Sequence, residues 1–467
     1  MSTPHLASGP EGPRALRPLL DTVLEALDTG ARARGGPLPP GGPEAVAARV
    51  RETAGEILPD QGDPHALRTL VHLFAEGAAD PAHPLCAAHL HCPPLAVATA
   101  ADLAASALNP SLDSWDQAPA ASELETLVTG ALAREIYGCQ EGSDTPDSLV
   151  TTGGTESNQL ALLLAREAYG GHVRLVCGAN AHHSLTRAAW LLGLPAPVVV
   201  PAPAGTLDPA ALDKTLTRLP GPLLVAATAG TTDAGLIDPL PEIAGHCAAH
   251  GARLHIDAAY GGGLLFSTRH RTALTGLDAA DTVTLDLHKL GWQPIAAGLL
   301  AVKNPRDLTA LRQRADYLNA ADDTEAGLPD LLGRSLRTTR RPDVLKLAVT
   351  LKTLGRSGLG TLVDQVCARA REFAALVRDH PGFELQAPPV ISTVLFRPAD
   401  ATDTTVAAVR RALLTDGRAV LGRTRLDGRL WLKATLLNPA TGPDDLAALL
   451  HLVAARRATL VEGHTPR

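Results

Sequence analysis

From about residue 150 to residue 305, short apolar runs alternate with helical patterns, and that alternation restricts what the chain can fold into. Strand-like runs fall at 173–176, 196–200, 223–227, 254–256 and 282–287, with helix-sized intervals between them. Strands spaced this way are joined by crossovers, which predicts an α/β layer architecture with a largely parallel sheet. Upstream, residues 1 to about 80 read as helical, interrupted at the Gly/Pro-rich stretch 35–42, which a helix cannot continue through. The segment 122–137 sets Leu124, Leu127, Val128, Ala131, Leu132 and Ile136 near a 3.6-residue period. Beyond about residue 360 the pattern changes. A long helix near 361–378, strands near 391–396 and 429–434, and helices at 403–415 and 443–456 suit a smaller α+β domain. The expected organisation is an N-terminal helical segment (1–82), a large domain (83–355) and a small C-terminal domain (356–467).

Composition narrows the function classes. At 467 residues the chain has room for a large core and an appendage, and its net charge of -7 leaves no basic footprint for nucleic acid. No apolar run approaches the roughly 18 to 20 residues that span a bilayer. The first twenty residues lack the basic start and apolar core of a signal peptide. The six cysteines, Cys86, Cys92, Cys139, Cys177, Cys247 and Cys367, form no CxxC pair, so reduced thiols are expected and a metal site is not. The expectation is a cytoplasmic, enzyme-sized protein with no membrane partner.

The chemistry concentrates where the strands end. In 281–287, Val283, Leu285 and Leu287 alternate with Thr282, Thr284 and Asp286, and the run leads into His288-Lys289. The apolar run 254–256 delivers Asp257 about thirty residues earlier. A lysine at a strand end beside a histidine is a candidate Schiff-base lysine for pyridoxal phosphate. Such a site needs an amine for the aldehyde and a carboxylate that keeps the pyridine nitrogen protonated. Taken singly, Lys289 reads equally as a surface lysine and Asp257 as a solvated or arginine-paired aspartate; the pair is what points to the cofactor. A buried carboxylate without a cation would be costly, and a pyridinium supplies one.

Other segments fit the same site. Thr151-Thr152-Gly153-Gly154-Thr155-Glu156-Ser157-Asn158 follows Leu149-Val150 and opens a Leu/Ala-rich helix. Glycines let the backbone approach a phosphate, and a helix start offers unpaired N–H donors; a threonine-capped turn would read the same. His182, in Ala181-His182-His183-Ser184, is placed to stack on a pyridine ring, with a surface-loop histidine as the alternative. The turn 228–232 offers hydroxyls near the strand ends, where open α/β sheets collect ligands.

Together these residues resemble the group II pyridoxal-phosphate-dependent amino acid decarboxylases. The similarity runs from about His83 to the end of the chain. It is carried by His89-Leu90-His91-Cys92-Pro93-Pro94, by 109–125, by Thr338-Thr339-Arg340-Arg341, by Gly422-Arg423-Thr424-Arg425 and by 432–439, in addition to the site residues. The leading segment and the Thr-Thr-Arg-Arg run look closest to the 2,4-diaminobutyrate and siderophore-type lysine decarboxylase branch. The resemblance implies fold-type I: a large domain with a mostly parallel seven-stranded sheet, a smaller C-terminal α+β domain, an N-terminal helical segment, and a homodimer with shared active sites. By position it assigns Lys289 to the cofactor imine, Asp257 to the ring nitrogen and His182 to ring stacking. It also places Gly154, Thr155, Asp286 and His288 near the phosphate, with Thr231 and Ala259 lining the ring pocket.

The implied reaction is decarboxylation of an L-amino acid, a basic or diamino acid such as 2,4-diaminobutyrate, ornithine or lysine, to the amine and CO2. A quinonoid forms and is protonated at Cα. Aromatic decarboxylases use a loop tyrosine for that step, whereas 318–338 here has none and Leu331 or Leu332 takes its position. Tyr317 lies just upstream, and His182 and Ser335 are alternative donors. The missing tyrosine raises a second reading, decarboxylation coupled to oxygen-dependent deamination giving an aldehyde. The loop, acidic at Asp322, Asp323 and Glu325, reads as a mobile lid or as a solvated loop.

Overall fold

The structure, a computed structural model, describes residues 5–138, 145–313 and 315–462; Cys139 lies outside them. The described chain divides into two compact units, Pro94–Cys367 and the residues up to Pro93 together with those from Ala368 onward.

The Pro94–Cys367 unit is built on a seven-stranded sheet. Across it run Asp147–Thr151, Gly298–Val302, Thr282–Asp286, Arg253–Asp257, Leu223–Thr228, Arg174–Gly178 and Val198–Val200. Gly298–Val302 is antiparallel to both of its neighbours, and the other pairings are parallel. The mostly parallel sheet expected from the sequence is therefore present. Its central strands are buried along their whole length, as sheets covered on both faces require.

The helix Gly154–Ala168 lies over the sheet with two apolar sides in use. Leu160, Ala161 and Leu164 pack with Leu149, Leu300 and Val302, while Leu162 and Ala165 join Leu175, Leu185 and Ala188. Each fully buried leucine stabilises this packing by about 1.5–3 kcal/mol relative to exposure. Register sets Thr228 beside Asp257, and Asp257 beside Thr284, at the carboxyl ends of parallel strands. That edge is where α/β sheets hold ligands.

In the other unit the helices Gly12–Arg34, Gly42–Ala54 and Ala66–Gly77 form the expected helical segment. The first ends at Gly35, whose left-handed backbone (φ 69) suits glycine. A five-stranded sheet orders Cys86–Ala87, Val420–Leu426, Arg429–Thr435, Thr393–Pro398 and Phe383–Leu385. Its edge pairing, Cys86 with Val420, is parallel and joins residues from the two ends of the chain. Phe373, Phe396, Val409, Leu432 and Leu449 form the core between this sheet and the helices Asp403–Thr415 and Pro443–Glu462.

Candidate active site

The sheet's carboxyl edge carries a buried polar network. Asp257, 5 % exposed, accepts from Asn158 Nδ2 at 2.8 Å and from the Ala259 backbone N–H at 3.1 Å. Among the described residues no lysine, arginine or histidine forms an ion pair with it. Asn158 Nδ2 also donates to Ser184 Oγ at 2.8 Å, and Ser184 Oγ lies 2.8 Å from His182 Nδ1. On its other side Asn158 Oδ1 accepts from Thr284 Oγ1 at 3.0 Å and meets His255 Nε2 at 3.0 Å. His255 Nδ1 lies 2.9 Å from Thr282 Oγ1. Thr282 and Thr284, the polar side of the alternating run 281–287, thus face buried partners instead of water.

The network fixes the electrostatics of both histidines. Complete burial pushes His255 down to about 4, against the opposing pull of Asp257, so it is neutral. Burial also lowers His182, again opposed by Asp257, with His183 and Lys289 acting in the same direction as burial. Ser184 and Asn158 link His182 to Asp257 by hydrogen bonds, and Lys289 pairs with Asp286 at the end of the adjacent strand.

Lys289 lies in the turn that follows the strand Thr282–Asp286. Its Nζ is 2.8 Å from Asp286 Oδ2, and His288 Nε2 is 3.6 Å from the same oxygen. His288 Nδ1 accepts from the Ala297 backbone N–H at 3.3 Å, and burial lowers its pKa. Opposite stands the glycine turn. A methyl placed on Gly153 would come 3.0 Å from the His288 ring; on Gly154 it would meet Ala259 Cβ at 3.0 Å and Asp286 Oδ2 at 3.1 Å. Gly154 and Thr155 open the helix Gly154–Ala168, and Glu156 reaches back to Thr152 N and Oγ1 at 2.6 and 2.7 Å to brace the turn.

Thr231 is buried, and its Oγ1 accepts from the N–H groups of Ala234 and Leu236, which leaves the hydroxyl proton free to donate. Ser335 is buried and accepts from Arg337 N at 3.0 Å, whereas Tyr317 is 82 % exposed. Asp322, Asp323 and Glu325 are exposed. Glu325 lines a cavity of about 510 Å³ with Asp147, Arg312, Asn319, Asp330 and Arg334, and neither Lys289, Asp257 nor His182 borders it. Asn158, Ser184, His255 and Thr284 escaped the sequence reading as site residues. Asn158 and Ser184 fall within the quoted motifs; His255 sits inside an apolar run that gives no sign of its partners.

Pyridoxal phosphate fits this arrangement on three grounds. The glycine turn leaves a space that any Cβ would fill. Asp257 is a buried carboxylate with only neutral hydrogen-bond donors. Asp286 Oδ1 is buried with no hydrogen-bond partner, beside the amine of Lys289. Comparison with known proteins agrees. Residues 71–399 match the pyridoxal-dependent decarboxylase conserved domain. The L-2,4-diaminobutyrate decarboxylase of Rhizobium meliloti (strain 1021) is 41% identical over 400 residues, covering 82% of this chain and 79% of the relative. The protein of the same name from Acinetobacter baumannii is 34% identical over 432 residues, 84% of each chain. Among solved structures, similarity at a TM-score of 0.85 and 31% identity is found with a Vibrio parahaemolyticus protein. It is described as the glutamate decarboxylase domain of diaminobutyrate-pyruvate transaminase and L-2,4-diaminobutyrate decarboxylase; the match covers 97% of this chain and 98% of that one.

Proposed function

The chain belongs to the pyridoxal-dependent decarboxylase family and is a pyridoxal-phosphate-dependent amino acid carboxy-lyase, and from that premise we propose that it acts on a diamino acid, L-2,4-diaminobutyrate before ornithine or lysine. The placing of Lys289, Asp257 and His182 at the ends of the sheet strands, with Asp257 and His182 joined through Asn158 and Ser184, carries the chemical reading. The substrate rests on the two relatives of that name at 41% and 34% identity. The same relatives do not favour oxygen-dependent aldehyde formation.

Pyridoxal phosphate, when bound, supplies an aldehyde for the substrate amine and a protonated ring that takes up the electron pair left by the carboxylate. Lys289 is the amine that would hold the cofactor's aldehyde between turnovers. Asp286, 2.8 Å from that amine, orients it. Asp257 would hold the proton on the ring nitrogen and stabilise positive charge there, an electrostatic contribution that is large for a buried carboxylate. His182 would cover the ring, Thr231 and Ala259 would line its pocket, and Gly154, Thr155 and His288 would hold the phosphate. A second copy of the chain completes the enzyme, supported by the exposed apolar stripe Leu67, Leu70 and Phe74 on the helix Ala66–Gly77. A cytoplasmic location suits the reduced thiols read from the sequence.

The test is product analysis. Cofactor-loaded protein is incubated in air with 2,4-diaminobutyrate, ornithine, lysine, glutamate and tyrosine while CO2, amine and oxygen are followed. The expected result is 1,3-diaminopropane and CO2 in equal amounts, with no oxygen consumed and the highest kcat/KM for 2,4-diaminobutyrate. Preference for glutamate or tyrosine would overturn the substrate, and an aldehyde with oxygen uptake would overturn the reaction.

A further inference from the structure

We infer that Asn158 is a positioning residue that ties the charge of Asp257 to the tautomer of His182 through one directional chain of hydrogen bonds. The argument begins with Asp257. An ionised carboxylate only accepts, so the Asn158 atom 2.8 Å from its Oδ2 is the amide nitrogen. That choice turns Asn158 Oδ1 toward Thr284 Oγ1 and His255 Nε2, each at 3.0 Å, and both must donate. His255 therefore carries its proton on Nε2. Being neutral, it leaves Nδ1 to accept from Thr282 Oγ1 at 2.9 Å.

The second amide proton of Asn158 goes to Ser184 Oγ at 2.8 Å. The Ser184 backbone N–H points at His182 Nδ1 at 3.3 Å, which makes that nitrogen an acceptor, so Ser184 Oγ, already accepting from Asn158, gives its own proton to the same nitrogen at 2.8 Å. His182 Nδ1 is then an acceptor and Nε2 bears the hydrogen. The negative charge on Asp257 sets the protons from Thr282 to the Asn158–Ser184 bond, and the Ser184 backbone N–H carries the order on to His182. Asn158 suits this junction because its amide has separate donor and acceptor ends, and because complete burial denies each end a competing water. An aspartate would lack the donors, and a serine would lack the span.

This inference rests on the assignment of Asp257 and His182 to the cofactor, but its first readout does not. Nitrogen-15 NMR of histidine-labelled protein without cofactor reports which ring nitrogen is protonated, whatever the substrate proves to be. The expected result is an Nε2–H tautomer for both His182 and His255. Asn158→Ala should give mixed tautomers at His182 and weaken pyridoxal phosphate binding about ten- to a hundredfold, since a hydrogen bond to a charged group is lost. Ser184→Ala should loosen the His182 tautomer alone and leave cofactor affinity within about twofold, because the bond from Asn158 to Asp257 survives. A proton on Nδ1 of His182 in the unaltered protein overturns the inference. So does an Asn158→Ala protein with unchanged His182 shifts and cofactor affinity. Where Asn158→Ala does not fold, unchanged His182 shifts in Ser184→Ala overturn it alone.

Discussion

At the scale of single residues, His255 shows how a site can be built at the expense of acid stability. The ring is fully buried, and burial lowers its pKa from 6.5 to about 4 despite the charge of Asp257 and the backbone of Thr282, which favour the charged form. Below the unfolded value the unfolded chain binds a proton that the folded chain does not. Stability contributed by the neutral ring is therefore complete above about pH 6.5 and lost as pH falls toward 4. Across that window the loss reaches about 3 kcal/mol as an upper bound. Urea titrations of the cofactor-free protein at pH 7 and pH 5 should show it, and His255→Gln should have a shallower pH dependence at lower starting stability. A wild-type midpoint that stays level between the two pH values would contradict the account. Lys289 makes a different prediction. Borohydride reduction of loaded protein should leave cofactor mass on the peptide containing Lys289, and Lys289→Ala should abolish both that adduct and more than 99% of activity, roughly a hundredfold loss or greater. An adduct on another lysine would reassign the site.

Among the elements, the strand Gly298–Val302 controls how closely the phosphate-side turn can approach. A methyl on Gly298 would stand 2.4 Å from Gly153 Cα and 2.5 Å from Thr151 Oγ1. The strand is paired on both sides and cannot move aside. Gly298→Ala should cost about 1–3 kcal/mol as overpacking and weaken cofactor binding by displacing Gly153. Gly245→Ala, in the open helix Leu240–His250, should instead be neutral or stabilise by up to about 1 kcal/mol. Thermal melts and cofactor titrations of the two variants check the contrast, and equal effects would sink it. The same strand shows where sequence reading stops. The runs before Asp257 and before Lys289 were legible because apolar stretches of strand length end in chemically distinctive residues. Gly298–Val302 is apolar on both faces, so no period separates it from a buried helix. The alternation sets Thr282 and Thr284 on the polar side of their strand; only the fold shows that this side faces Asn158 and His255. Pairing of Cys86 with Val420 depends on residues far apart in the chain and leaves no local pattern.

For the whole molecule, the open question is what covers the N-terminal helices. Leu67, Leu70 and Phe74 recur at helical spacing and are 38%, 42% and 77% exposed, and Leu24 and Leu27 on the helix Gly12–Arg34 are 64% and 42% exposed. The two helices are pinned together by the pair Arg68–Glu25 at 2.7 Å and by Thr29 Oγ1 with His72 Nδ1 at 3.0 Å, so the leucines are displayed on one packed helix pair. Apolar side chains grouped on such a surface mark an interaction site. None of the described helices is long and apolar enough to cross a membrane, and a second copy of the chain is the occupant proposed. A symmetric interface would bury this stripe twice, and a stable dimer needs upward of about 1,000 Å². Sedimentation at roughly micromolar protein should then give twice the 48.4 kDa chain mass. Phe74→Asp would place a charge where the apolar ring was buried. The expected penalty of about 2–3 kcal/mol weakens association roughly 30- to 150-fold and leaves the circular dichroism of the chain unchanged. If the active site is completed across the interface, specific activity will fall as either protein is diluted through its dissociation constant, and Phe74→Asp will fall first. A wild-type chain that sediments as a monomer with undiminished activity would show instead that the exposed stripe serves some other partner.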